Sequence, residues 1–223
     1  MSTISGAEFG SLFREMAAQI ETHKDHLSVL DSVIGDGDHG VTMSIGFQAI
    51  NKALDDLNAN ATPADVFMTC AKTFLNAVGA SVGPLYATAF MRAAARVKDK
   101  AAIDEAELAD ILVAMSAGIV QRGKAALGQK TMVDAWHPAA QAAREAKGEG
   151  HAAAIASQAA KAAEVGAQST AEMTAGKGRS ANLGDRAIGH VDPGAASAAL
   201  LIRTIADWAQ ARSEAQNRFD GNR

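Results

Sequence analysis

Asp31-Ser-Val-Ile-Gly-Asp-Gly-Asp-His-Gly40 packs three carboxylates and three glycines into ten positions between two segments patterned as helices. Before it, Phe9, Leu12, Phe13, Met16 and Ile20 recur at helical spacing, and after it Met43, Phe47, Ile50 and Leu54 do the same. The stretch is a turn between two helices, and its composition asks for more than a turn.

Working outward, Thr62-Pro63-Ala64-Asp65 supplies an N-cap, a proline at the first helical position and an acidic first turn, opening a third helix through Phe67, Phe74 and Leu75. A fourth is expected from Pro84 to Val97. Leu108, Ile111, Leu112, Met115 and Ile119 mark a fifth, Met132 to Ala146 a sixth, and the Ala-rich run from His151 to Thr174 a seventh. Pro193 opens an eighth, carrying Leu200, Leu201, Ile205 and Trp208. No stretch shows strand alternation and aromatic residues make up only 4% of the chain, so the fold class is all-α. At 223 residues the chain can build one sizeable core and is read as a single domain over residues 1–223.

Eight helices joined in sequence predict an antiparallel up-and-down bundle or barrel, in which the connections after odd-numbered helices share one end. Those connections are residues 31–39, 78–84, 123–130 and 176–192, and they hold nearly all of the unusual chemistry; residues 58–62, 98–103 and 147–150 at the other end are plain polar turns. The same arrangement aims the N-termini of the second, fourth, sixth and eighth helices at one place. Unpaired N–H groups and positive dipole ends there favour anions.

Two carboxylates about 4 Å apart repel by on the order of 4 kcal/mol at an effective dielectric near 20, so three in one loop need a cation. Asp31, Asp36 and Asp38 are the candidate metal ligands, and an oxygen-only donor set points to Mg²⁺ or Ca²⁺. The common calcium loop is excluded by spacing: Val33 falls at the third ligand position counted from Asp31, and Phe47 at the last counted from Asp36. Mg²⁺ fits better, because it completes its shell with water and phosphate oxygens, and Gly35, Gly37 and Gly40 leave backbone N–H groups bare for those oxygens. Capping of the following helix would account for one aspartate and not for three.

The segment from Gly176 to Gly194 places Lys177, Arg179 and Arg186 among five glycines, a composition suited to a cationic lid over phosphates. Arg179 is the candidate catalytic and phosphate-holding cation. Arg186 is open between that role and a loop-shaping pair with Asp185 or Asp192. Asp192-Pro193-Gly194 reads as the start of the last helix, with Asp192 at the N-cap. Gly123-Lys-Ala-Ala-Leu-Gly-Gln-Lys-Thr-Met132 has the wrong spacing for a P-loop and no strand before it, and is read instead as a wall of a nucleotide pocket. His39, His137 and His190 lack the paired spacing of zinc sites, and His39 is assigned a hydrogen bond to a phosphate. Cys70, between Phe67 and Phe74, is a core residue.

A net charge of −4 argues against a nucleic-acid surface. No apolar run approaches the ~18 residues of a membrane span. The N-terminus has neither the basic nor the apolar part of a signal peptide, and a single cysteine cannot form an internal disulfide, so a cytoplasmic location is expected. The Ala-rich helices leave a homodimer open.

Taken together, Ile34-Gly-Asp-Gly-Asp-His-Gly40, Gly83-Pro-Leu-Tyr86, Lys130-Thr-Met132 with Asp134 and Trp136, Gly178-Arg179, Gly189-His190 and Asp192-Pro-Gly194 closely resemble the nucleotide-binding L subunit of dihydroxyacetone kinases. The resemblance implies an eight-helix barrel that binds ADP or ATP through two Mg²⁺ ions held by Asp31, Asp36 and Asp38. It implies phosphate contacts from His39, Gly40, Val41 and Thr42, and a second loop lined by Ala80 and Ser81. Gly123 and Met132 would flank the nucleotide, with Arg179, Asp192, Pro193 and Gly194 closing over it. The ketose would sit on a separate K subunit, and the donor would be either a phosphocarrier of the phosphotransferase system or free ATP. A ketotetrose such as erythrulose is as open as dihydroxyacetone, and a non-catalytic nucleotide-sensing partner is the reading from a different class. The chain departs from the family pattern at Val82, where a serine is usual, at Gln129, usually acidic, and at Asn182, usually tyrosine.

Overall fold

The computed structural model describes residues 2–220. Eight α-helices carry it: α1 (Gly6–Ile34), α2 (His39–Ala53), α3 (Pro63–Ala77), α4 (Val82–Arg96), α5 (Leu108–Gly123), α6 (Val133–Ala146), α7 (Ala152–Ser169) and α8 (Pro193–Asp220). Each packs on its neighbour in sequence and α8 returns to α1, so the ring closes as the helix count predicts.

Local chemistry sets the boundaries. Ser5 and Glu8 form a capping box at the start of α1, and Thr62 and Asp65 form one at the start of α3. Helix α4 begins at Val82, two residues ahead of Pro84, because a proline in a first turn gives up an N–H that has no partner within the helix. Helix α7 ends earlier than its alanine content suggests. The hydroxyls of Ser169 and Thr170 donate back to the carbonyls of Gly166 and Ala167, and the chain tightens into a 3₁₀ turn over Thr170–Glu172.

The core divides by residue size. Phe9, Phe13, Phe67, Phe74, Phe90 and Tyr86 interlock on α1, α3 and α4, mostly edge to face, and Trp136 of α6 extends the cluster with its ring centroid 6.3 Å from that of Tyr86. On the opposite side α6, α7 and α8 meet through buried alanines, among them Ala139, Ala143, Ala156, Ala160, Ala163 and Ala198. Pro138 removes the N–H that would have bonded the Asp134 carbonyl, and Gly166 of α7 packs against that carbonyl, where an added Cβ would lie 2.0 Å from the oxygen.

Two short strands depart from the all-helical expectation. β1 (Thr3–Ser5) and β2 (Ala102–Asp104) pair antiparallel with Ile4 opposite Ile103, both fully buried. Three residues per strand are too few to show an alternating pattern. Arg212 of α8 fastens this ribbon: its guanidinium, 9% exposed, pairs with Glu8 at 2.6 Å and with Glu105, and donates to Ser2 Oγ and the Thr3 carbonyl. Burial raises the carboxyl pKa values of Glu8 and Glu105, but backbone N–H donors and Arg212 outweigh it and hold both below their ordinary range. Breaking a buried pair costs roughly 3–5 kcal/mol. Because Glu8 is 36% exposed and can hydrate, Arg212→Ala is expected to destabilise by about 2 kcal/mol. Carboxylates depressed in the folded state stabilise above about pH 4.5 and lose that contribution as pH falls through their lowered values. The difference between wild type and variant in urea melts should therefore shrink below about pH 4.5; a difference independent of pH would remove the ion pairs from the account.

Candidate functional site

The four connections after α1, α3, α5 and α7 meet around one cavity of 480 Å³, and the starts of α2, α4, α6 and α8 point into it. Its wall includes Asp31, Asp36, Asp38, His39 and Thr42 from the first connection, and Ala80 and Ser81 from the second. Gly123 and Met132 come from the third, and Arg179, Asp192, Pro193 and Gly194 from the last.

The carboxylates do different work. Asp31, in the last turn of α1, is buried, and its Oδ2 accepts the backbone N–H of His39 at 3.1 Å. Asp38 occupies the N-cap position of α2 but makes no side-chain capping bond, so Asp31 performs the capping and the Asp38 carboxylate is left to the cavity. One oxygen from each of Asp31, Asp36 and Asp38 lies within 4.8 Å of the others. An all-oxygen, triply acidic cluster of this size suits a hard divalent cation. A cationic side chain already uses part of it: the Arg179 guanidinium lies on Asp36 and 3.9 Å from Asp38.

Gly40 and Val41 do not present side chains to the cavity. Gly40 is buried against α1, where a Cβ would lie 1.9 Å from the Lys24 carbonyl, and Val41 is 46% exposed to solvent. Neither lines the cavity, and what they offer beside it is backbone. The N–H of His39 is taken by Asp31 and that of Thr42 by the Asp38 carbonyl, whereas those of Gly40 and Val41 find no acceptor among the described residues. The second connection turns tightly, with Gly83 N–H on the Ala80 carbonyl at 2.9 Å, and an added Cβ at Gly83 would meet the Val78 carbonyl at 2.2 Å. Val82, where the family has serine, is buried in the cavity wall and adds an apolar surface. With Leu85, Ile119, Ala125, Met132 and Val133 it gives the cavity an apolar share of wall, suited to a planar ring.

The long connection before α8 is more ordered than a loose clamp. It forms a 3₁₀ segment over Arg179–Ala187, kinked at Gly184, and packs Ala175, Ala181, Leu183 and Ala187 on Ile34 beside the acidic loop. Its two ends are pinned together. Gly189 N–H donates to the Ala171 carbonyl at 2.7 Å, and the fully buried Lys130 ammonium donates to the carbonyls of Thr170 and His190. Burial lowers the Lys130 pKa, and Asp192 counteracts it. Asp192 caps α8 as its position predicts, accepting from Ala195 N–H at 2.8 Å, while its own N–H donates to Thr170 Oγ1. Burial, reinforced by the Asp134 and Asp31 charges, pushes the Asp192 carboxyl up to about 7 against the Ala195 N–H and Lys130. Burial likewise pushes His39 down to about 4, with Asp31 opposing, so its imidazole is neutral at pH 7. Arg186 pairs with neither Asp185 nor Asp192 among the described residues, and is exposed.

Sequence reading missed Arg122, which lines the cavity from the last turn of α5, and the pinning role of Lys130. A lysine beside the start of a helix reads as solvated; only the positive φ of 57° at Lys130 and the convergence of two distant carbonyls turn it inward. Ser197, discussed below, was signalled faintly as the one hydroxyl in an alanine stripe at the start of α8.

A closed ring of eight helices that gathers three carboxylates, four helix starts and an arginine at one end defines a class of domain, and the chain belongs to it: residues 33–207 match the DAK2 domain family. Its relatives include subunits of dihydroxyacetone kinases. The ADP-binding subunit DhaL of PEP-dependent dihydroxyacetone kinase 2 from Listeria innocua is 39% identical over 203 residues, covering 91% of this chain and 94% of the relative. The corresponding DhaL subunit from Escherichia coli is 37% identical over 186 residues, covering 83% and 88%. The crystal structure of the dihydroxyacetone kinase from C. freundii in complex with AMP-PNP and Mg²⁺ shares the fold, with a TM-score of 0.72 at 24% identity over 93% of this chain and 35% of that one. Among the described residues no helix is long and apolar enough to cross a membrane.

Proposed function

We propose that this chain is the ADP-binding subunit of a dihydroxyacetone kinase, holding the nucleotide while the phosphoryl group passes to a small ketose on a separate K subunit. The observation that carries the reading is the joining, in one cavity, of the carboxylate triad, Arg179 and an apolar wall, beside the start of α2, where the N–H groups of Gly40 and Val41 find no acceptor among the described residues. Phosphoryl transfer requires little covalent chemistry from the protein and much positioning and charge neutralisation. Two Mg²⁺ ions on Asp31, Asp36 and Asp38 would supply most of that neutralisation when bound. The start of α2 holds phosphate oxygens on backbone amides, Arg179 adds a cation from the lid, and Leu85, Ile119 and Met132 enclose the base. Relatives of nearly the same length are named as PEP-dependent, which favours a cytoplasmic phosphocarrier over free ATP as the donor.

Reconstitution tests the whole reading. The chain loaded with ADP and Mg²⁺, mixed with a K subunit, PEP and the phosphocarrier proteins, should convert dihydroxyacetone to its phosphate; replacing the PEP system with ATP should give much less product. Absence of sugar phosphate with either donor, despite bound ADP, would leave a nucleotide sensor as the function.

A further inference from the structure

His39 stands on α2, but its ring is held from α8. Its Nε2 lies 2.9 Å from Ser197 Oγ, and Ser197 is fully buried. The same hydroxyl donates to the Gly194 carbonyl one turn earlier at 3.0 Å.

The protons in this chain of groups can be placed by what each can give. A carbonyl only accepts, so the Ser197 proton goes to Gly194. The Ser197 lone pairs remain, and one of them takes a proton from the imidazole. His39 is thereby fixed with hydrogen on Nε2 and a lone pair on Nδ1.

We propose that Ser197 is a positioning residue that locks His39 in the Nε2–H tautomer at the cavity wall, so that His39 offers its ligand an acceptor nitrogen and not an N–H. This rests on the reading of the cavity as a nucleotide site, and it changes the role sequence analysis gives His39. A phosphate oxygen is itself an acceptor and does not pair with an acceptor nitrogen. The group that meets His39 is an O–H donor, such as a ribose or sugar hydroxyl or an ordered water, and phosphate falls to the amides of Gly40 and Val41. Ser197 touches none of these groups and works through the ring.

Nitrogen NMR of the full chain labelled on histidine, recorded without nucleotide, tests the lock directly. His39, assigned by its loss in His39→Gln, should show a protonated Nε2 and an unprotonated Nδ1. Ser197→Ala should let the two tautomers exchange and weaken Mg²⁺-dependent ADP binding about tenfold, the scale of one lost hydrogen bond, while Ser197→Thr keeps both properties near wild type. If Ser197→Ala fails to fold, Ser197→Cys serves as the second variant: its sulfur is a weak acceptor of nearly the same size, it should likewise let the two tautomers exchange, and an unchanged tautomer in it overturns the proposal. Wild-type His39 protonated on Nδ1, or a Ser197→Ala protein with unchanged tautomer and ADP affinity, overturns the proposal. Wild type that shows the Nε2–H signal but binds no ADP overturns the nucleotide reading instead.

Discussion

Asp36→Asn is expected to reduce Mg²⁺-dependent ADP affinity by on the order of a thousandfold, measured by titration calorimetry. Replacing a group that merely supports a metal ligand costs roughly 10- to 100-fold in affinity, and a ligand itself should cost more. Asp36 is exposed, and among the described residues its one side-chain partner is Arg179, so its carboxylate does no structural work that the amide would spoil. The variant should melt within about 0.5 kcal/mol of wild type in the absence of ligand. Removing one of three crowded negative charges acts, if anything, in favour of the free protein. The rise in Tm that ADP and Mg²⁺ give the wild type should disappear in the variant. Asp25→Asn, on an exposed face of α1, provides the control and should bind normally. ADP affinity in Asp36→Asn within a few-fold of wild type would dismiss the triad as the metal site.

The experiment bears on how far the site was readable before the fold was seen. Asp31, Asp36 and Asp38 were legible because mutual repulsion makes three carboxylates in one short loop costly without a cation. The shared end of the barrel was legible because short connections force neighbouring helices to run antiparallel, and the cavity indeed draws on the four alternate connections. The division of labour among the aspartates was not legible. Asp31 caps α2 across eight residues through a bond that depends on how α1 ends, with Gly35 N–H folded back on the Asp31 carbonyl at 2.6 Å. The roles of Lys130 and Ser197 were hidden for a related reason. Each bridges residues far apart in the chain, 40 and 60 positions for Lys130 and 158 for the His39 to Ser197 contact, and local spacing carries no trace of such pairs. The ribbon of β1 and β2 escaped because its stability comes from burial of Ile4 and Ile103 and from Arg212, not from strand propensity.

Arg179→Ala is expected to slow phosphoryl transfer by about a thousandfold while changing ADP affinity less than about tenfold, a split that separates a charge-stabilising residue from a binding one. An arginine that meets transferring phosphate is worth roughly 10³- to 10⁵-fold in rate, because its planar fork matches the oxygens on which charge accumulates. Arg179 is placed for this by the lid. The apolar cluster of Ala175, Ala181, Leu183 and Ala187 seats the segment on Ile34, and Lys130 holds its two ends, so the guanidinium reaches the acidic loop from a braced support. Its contact with Asp36 has a second consequence. The guanidinium and a divalent cation would draw on the same two carboxylates, so without nucleotide Arg179 is expected to compete with Mg²⁺ for Asp36 and Asp38. Arg179→Ala should therefore bind Mg²⁺ alone more tightly than wild type, although it turns over more slowly. Arg179→Lys keeps the charge but loses the fork, and should recover only a small part of the rate. Turnover by Arg179→Ala within tenfold of wild type, in the reconstituted reaction with saturating K subunit, would leave the arginine as a partner of the carboxylates and nothing more.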